Sequence, residues 1–239
     1  MPTRFLFRDD AYLKSTPATV ASVSDEGGIE LDQTVFYAQG GGQPGDSGVL
    51  SVGGRDIAIS NAVYGPDRTA IFHVPAVPGH NVKAGDSVLI TLDWERRYAM
   101  MRAHTALHLV SVVFPYAVTG GSIGEAEGRL DFNIPEGSDI NREEAVAELA
   151  RLVGLSRTIS TRTITDAELD ANPGLVKTML VQPPRGTGTI RLVEIDGLDL
   201  QPCGGTHVAT TGEIGRIEIT KIESKGARNH RVRIALHPA

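Results

Sequence analysis

The stretch that most restricts the fold is WERRYAMMRAHTALHLVSVVF, Trp94 to Phe114, some twenty residues without glycine or proline, entered through Asp93 and closed by Pro115. An Asp at the N-cap accepts hydrogen bonds from the first free N–H groups of a helix, and a proline cannot continue the ladder. The sequence therefore predicts one long helix here, and that helix separates two unlike regions. Up to about Leu92 the chain is rich in glycine and turn pairs, with short alternating runs between them: ATVASV, GIELDQTVFY, RDIAIS and DSVLITL. This is the signature of a small β-barrel or sandwich. HVPAVPGHNVKAGD reads as a connection, because its prolines and glycines interrupt any period. Beyond the helix, NREEAVAELARLVGL predicts a second helix with Val146, Leu149, Leu152 and Val153 on one side, among strand-like runs TISTRTIT, TIRLVEID, RIEITKI and RVRIAL. The expectation is two domains, an N-terminal β domain over residues 1–92 and an α+β domain over 93–239.

A hydrophobic content of 41% with 22% charge, and a mean hydropathy of −0.09, are those of a soluble globular protein. No apolar run approaches the ~20 residues that span a bilayer, and the first fifteen residues reach charge too soon for a secretory leader. Cytoplasmic location is the expectation. The net charge of −6 excludes a surface coated in basic residues, yet KIESKGARNHRVR, 221–233, carries five basic residues against one acidic. A nucleic-acid surface would have to be local.

His104 and His108 stand four apart in the long helix, so both imidazoles can point at one ion, although such a pair is as often unrelated side chains. Cys203, the chain's single cysteine, cannot form an internal disulfide and is buried filler, a reactive thiol or a ligand. It lies in QPCGGTHV, four residues before His207, in a glycine-rich turn able to fold both toward one point. Three imidazoles and one thiolate would complete a tetrahedral set suited to Zn2+. Other zinc chemistries lack their residues. The glutamate that follows the first His in H-E-x-x-H peptidases is replaced by Thr105, and the deaminase pattern fails for want of a glutamate and a second cysteine. GGGQPGDSG, 40–48, has the glycine spacing of a phosphate loop, but Asp46 stands where its lysine belongs.

Taken together, HTALH, PCGGTHV followed by TGEIGRIEITKIESKG, the glycine-rich FYAQGGGQPGDSG, and GRLDF resemble the editing domain of alanyl-tRNA synthetase and its free-standing AlaX relatives. The similarity runs from FRDDAYL to RVRIAL, and the N-terminal β domain with its glycine-rich loop resembles the medium-length AlaX class. The editing domain of threonyl-tRNA synthetase is a related possibility that the GGQ loop disfavours. The resemblance implies an α+β protein, with an N-terminal small β-barrel domain and a C-terminal zinc-containing editing domain. No ATP-binding motif precedes the region, so the implied activity is that of the editor alone, a trans-editing hydrolase that removes serine or glycine from mischarged tRNA(Ala).

The residues themselves and the resemblance together point to roles for particular positions. His104, His108, Cys203 and His207 would hold zinc, with His207 a constant or an intermittent ligand. Thr119 would line the amino-acid pocket, and the backbone N–H groups around Gly204 and Gly205 would stabilise an oxyanion. Thr105, Gly42 and Gln43 are the expected substrate-binding residues; for the last two, a plain hairpin is the competing reading. Lys221, Lys225, Arg228, Arg231 and Arg233 are the expected tRNA contacts, joined by Arg96, Arg97 and Arg102, and a solvated outer face is the alternative. The rival functions are a zinc-stabilised RNA-binding module without catalysis and a metal-dependent hydrolase of small esters.

Overall fold

The computed structural model describes residues 2–138, 140–178, 188–226 and 228–238. The chain forms two compact units, Met1–Tyr98 and Ala99–Ala239, and its fold class is α+β.

In the first unit, β1 (Arg4–Phe5) pairs in parallel with β4 (Gln33–Thr34). The others, β2 (Ser15–Val23), β3 (Ile29–Leu31), β5 (Gly48–Val52), β6 (Arg55–Tyr64), β7 (Ile71–Pro75) and β8 (Ser87–Leu92), close a barrel in the order β2-β3-β7-β6-β5-β8. Alternation builds it. Successive strand side chains point to opposite faces, so Ala18 and Val20 on β2 and Val88, Ile90 and Leu92 on β8 all turn inward with Ile29, Leu31, Leu50 and Ile71. Two expectations change. GIELDQTVFY breaks into β3 and β4 at Asp32, whose carboxylate accepts from the Thr19 N–H. The segment taken as a connection gives up His73–Pro75 to β7, where the ring of His73 is buried between Thr34 Oγ1 at 2.8 Å and the Ile29 carbonyl at 2.9 Å.

The glycine-rich loop is a turn. Gly40 and Gln43 exchange backbone hydrogen bonds of 3.0 and 2.9 Å, and Gly41 and Gly42 between them take φ of 58° and 81°, the left-handed region that glycine occupies freely. Gly48 is small for another reason: a Cβ there would lie 2.1 Å from the Thr91 carbonyl oxygen. Asp46 is buried, accepts from the Tyr37 N–H, and receives the guanidinium of Arg97, whose Nε lies 3.0 Å from both carboxylate oxygens. Arg97 also donates to the carbonyls of Ala11 and Val35. It is fully buried, so the expectation of a phosphate contact is corrected: its charge is neutralised inside the first unit.

Helix α1 (Trp94–Val113) begins in the first unit and continues into the second, capped as expected by Asp93, whose carboxylate accepts from the Arg96 N–H. In the second unit β9 (Ala117–Gly124) and β10 (Glu127–Asn133) precede α2 (Arg142–Gly154), where Asn141 caps the N–H groups of Glu143 and Glu144. Then come β11 (Ile159–Ile164), α3 (Asp166–Ala171), β12 (Ile190–Ile195), β13 (Asp199–Pro202), β14 (Arg216–Ser224) and β15 (Asn229–His237). One antiparallel sheet has the order β14-β15-β10-β9, the other β11-β12-β13. One face of the larger sheet buries Phe132, Val232, Ile234, Ile217 and Ile219. Gly128 in this sheet admits Leu107 of α1, for a Cβ would meet that side chain at 3.0 Å. Arg102 ties α1 to the carbonyls of Ile214 and His237, which occupies the guanidinium that the sequence offered to tRNA.

Removing one partner of a buried ion pair leaves the other charge without compensation, at a cost of about 3–5 kcal/mol. Arg97→Ala is therefore expected to lower stability by that amount in urea unfolding; a loss below about 1 kcal/mol would show that Asp46 finds other partners.

Candidate metal centre

His104 and His108 share a face of α1 because residues four apart on a helix stack one above the other. Cys203 directly follows β13, and His207 lies in the loop after it. The two pairs converge. Their ligand atoms all lie within 4.8 Å of one another, and Cys203 Sγ is 3.3 Å from Nε2 of both His104 and His207. The His207 ring centroid is 4.3 Å from that of His104 and 4.7 Å from that of His108. A tetrahedral ion with sulfur at ~2.3 Å and nitrogen at ~2.0–2.1 Å needs ligand-to-ligand edges of about 3.3–3.6 Å. Three nitrogens and one sulfur at these separations could hold a metal ion, and the donor set suits a soft or borderline one.

Two of the candidate ligands are held from behind. Nδ1 of His108 lies 2.8 Å from Asp199 Oδ2, and Nδ1 of His207 lies 3.2 Å from Thr105 Oγ1. Thr105 gives its hydroxyl hydrogen to the Met101 carbonyl at 2.9 Å, which leaves the oxygen to accept from His207 and from the Val208 N–H. Both rings thus direct Nε2 at the common point. On the turn, Arg191 donates to the carbonyls of Cys203 and Gly205 at 2.8 and 3.0 Å. Neither Gly204 nor Gly205 has a left-handed φ, and the hydrogen bonds of Arg191 brace the turn.

Burial disfavours charge at Cys203, His108, His207 and Asp199, and the neighbours decide which charges survive. Burial would raise the Cys203 thiol, yet the adjacent His104 and His207 hold it well below its ordinary value, which favours the thiolate that binds metals. Burial would lower His108, but its hydrogen bonds with Asp199 and Cys203 raise it to about 9. His207 is lowered to about 3, first by burial and then by His104 beside it. Asp199 falls below the usual carboxylate range despite its burial, because His108 and Lys177 are bonded to it.

Residues 190–233 match the family described as the threonyl and alanyl tRNA synthetase second additional domain, and residues 11–96 match the class II (A) tRNA synthetases. Over 98% of its length the chain is 34% identical to an alanyl-tRNA editing protein AlaX-M of Methanosarcina acetivorans, of which it covers 99%. The chain belongs to the AlaX-M family of alanyl-tRNA editing proteins. A second AlaX-M protein, from Saccharolobus solfataricus, is 32% identical across 99% of this chain and 100% of the relative. An alanine-tRNA ligase of Pyrobaculum arsenaticum is 36% identical over 92% of the chain, which spans 25% of that longer protein.

The remaining residues singled out in this AlaX-M chain fall in three places. Thr119 sits at a bulge in β9, between the pairs Val118–Phe132 and Gly120–Asp131, and its hydroxyl donates to Asn229 Oδ1 at 3.2 Å. Gly42 is exposed and Gln43 is buried in the turn of the first unit, while Gly204 is exposed beside Cys203. The basic residues share the polar face of the larger sheet with two carboxylates. Arg231 pairs with Asp131 at 2.7 Å, and Lys221, Lys225 and Arg233 gather around Glu223 at 2.9, 3.6 and 3.0 Å. Arg228 is exposed. Hydrogen bonds from Lys221 and Arg233 lower Glu223 to about 2, so this lattice stays ionised at neutral pH. Arg96 reaches the Gly45 carbonyl in the first unit.

Sequence reasoning missed Asp199, Gln201, Lys177 and Arg191. One signal was available: in LDLQPC, positions 199, 201 and 203 alternate, so a strand places the carboxylate, the amide and the thiol on one side.

A ligand contributes more to affinity than the outer groups whose loss costs roughly 10–100-fold. Cys203→Ala and His104→Ala are each expected to strip the protein of metal under mild chelation that leaves the wild type loaded, as read by elemental analysis. Equal metal content in all three would remove these side chains from the site.

Proposed function

We propose that this chain is a trans-editing deacylase that hydrolyses the ester between a wrong amino acid, serine or glycine, and tRNA(Ala), with zinc as the ion held by His104, His108, Cys203 and His207. The observation that carries this reading is the convergence of those four donors in a chain that matches AlaX-M proteins from end to end. Such an activity answers a physical need. A pocket sized for alanine rejects glycine by only ~1–3 kcal/mol per missing methylene and excludes an added hydroxyl poorly, so a second, hydrolytic sieve is required.

Zinc held by these residues would supply a positive charge for the substrate's polar groups, and would polarise water only where His207 leaves a coordination position open. The protein's own groups do the rest. Asp199 is already engaged by His108, Lys177 and Gln201, so it is a support and not a free base. Proton transfer falls instead to the vicinal hydroxyl of the terminal ribose: water attacks the carbonyl carbon, and the ribose oxygen leaves with a proton. Backbone N–H groups at Gly204 and Gly205 face the developing oxyanion, and Thr119 contacts the amino-acid side chain. Gly42 and Gln43 contribute to serine discrimination. Thr105, fully buried, acts on substrate only through His207. For tRNA, Lys221, Arg231 and Arg233 on the sheet face, with Lys225 and Arg228 in the turn beside it, offer phosphates a cluster of cations. This activity belongs in the cytoplasm, where tRNA is charged; no helix among the described residues is long and apolar enough to cross a membrane.

Release of amino acid from Ser-tRNA(Ala) and Gly-tRNA(Ala), with Ala-tRNA(Ala) spared, is the expected result of a deacylation assay. Thr119→Val should alter the ratio of serine to glycine release. Binding without turnover would favour a zinc-stabilised RNA module, and hydrolysis of small esters independent of tRNA would favour a general esterase.

A further inference from the structure

Four polar side chains, Asp199, Gln201, Lys177 and Ser111, meet behind His108 within the second unit, and their donor and acceptor inventory is unbalanced. The Asp199 side chain is fully buried; its Oδ2 lies 2.8 Å from His108 Nδ1 and 2.7 Å from Gln201 Nε2, and its Oδ1 lies 2.5 Å from Lys177 Nζ. Gln201 Nε2 is also 3.1 Å from His108 Nδ1 itself and 3.4 Å from Ser111 Oγ. An amide NH2 only donates, and a neutral imidazole has one donating and one accepting nitrogen. The same amide group therefore stands ready to donate to Nδ1 whenever Nδ1 carries no hydrogen, which would put the ring's hydrogen on Nε2, the atom that must face the other ligands.

We propose that Asp199 is the positioning residue that decides this competition: it accepts both the Nδ1–H of His108 and the Gln201 amide, so that Nε2 of His108 keeps its lone pair for the metal. Lys177 neutralises the carboxylate and fixes its orientation from the other side. A carboxylate suits the place because it accepts at both oxygens and donates nowhere. An amide at 199 would present an N–H to Lys177 or to His108. The inference rests on the reading that the four-residue cluster holds a metal. It goes beyond that reading by assigning the tautomer of one ligand to a residue outside the ligand set, and by giving Gln201 an antagonistic part.

The test is zinc binding to the metal-stripped protein, measured by competition with a chromogenic chelator, with circular dichroism to confirm that each variant is folded. Asp199→Ala is expected to lower zinc affinity by roughly 10–100-fold, the usual cost of losing a carboxylate behind a ligating histidine. Adding Gln201→Leu to that variant should recover severalfold of the loss, because the competing donor is gone. A purely structural role for Asp199 predicts a further loss. Asp199→Asn serves if the alanine variant does not fold, with a similar direction. If the wild type binds zinc while the Asp199 variants bind it within about twofold as well, or if removing Gln201 restores nothing, the positioning role is wrong. If the wild type binds no zinc, or Cys203→Ala binds it as tightly, the metal reading itself fails.

Discussion

Three imidazoles and a thiolate, drawn from segments 99 residues apart, bring their donor atoms to a common point, and much of the second unit exists to make that possible. Side chains of this kind are costly to bury unless each nitrogen and each sulfur has a partner. Thr105 and Asp199 occupy the far sides of two rings, Arg191 clamps the carbonyls of the turn that carries Cys203, and Arg102 secures the helix that carries both His104 and His108. Of these supports only Thr105 lies inside a recognisable motif, HTALH; Asp199, Arg191 and Arg102 lie outside the motifs. The four supports are what turns four coincident residue types into a rigid set.

The first unit rests on an analogous constraint with a different result. The charged residues of its glycine-rich loop and helix start are turned on each other, Asp46 receiving Arg97 in a fully buried pair. The glycines serve turn geometry and close strand approach, as the left-handed Gly41 and Gly42 and the crowded Gly48 show. On the polar face of the larger sheet the cations are also paired, but only part-buried, with Arg233 still reaching solvent, where such pairs contribute less to stability. Burial separates the two cases: the same residue type is a structural counter-charge at Arg97 and a candidate phosphate contact at Arg233.

Much of this was legible in local pattern. The long helix, its Asp93 cap, the Asn141-capped helix and the strand RVRIAL each declare themselves by a period and a boundary signal within a few residues. The candidate metal ligands were legible because two i,i+4 pairs hold three of the chain's seven histidines and its single cysteine. Strands β9 and β10 were not: AVTGGSIG is diluted by glycines that only its partner strand explains, and EGRLDFN carries on its outward face the charges that read as loop. Pro75 disguised the end of β7 in the same way.

By itself, then, the sequence determined residue types, their spacing within a helix turn or a strand pair, and hence which side chains share a face, because those relations depend on backbone geometry over four residues or fewer. Only the tertiary structure decided which faces meet. That Asp199 stands behind His108, that Arg97 is consumed by Asp46, and that Thr105 supports His207 all follow from pairings across some 50 to 100 residues. The energy of those pairings arises from mutual burial of polar groups, a property that no single segment possesses before the chain has folded.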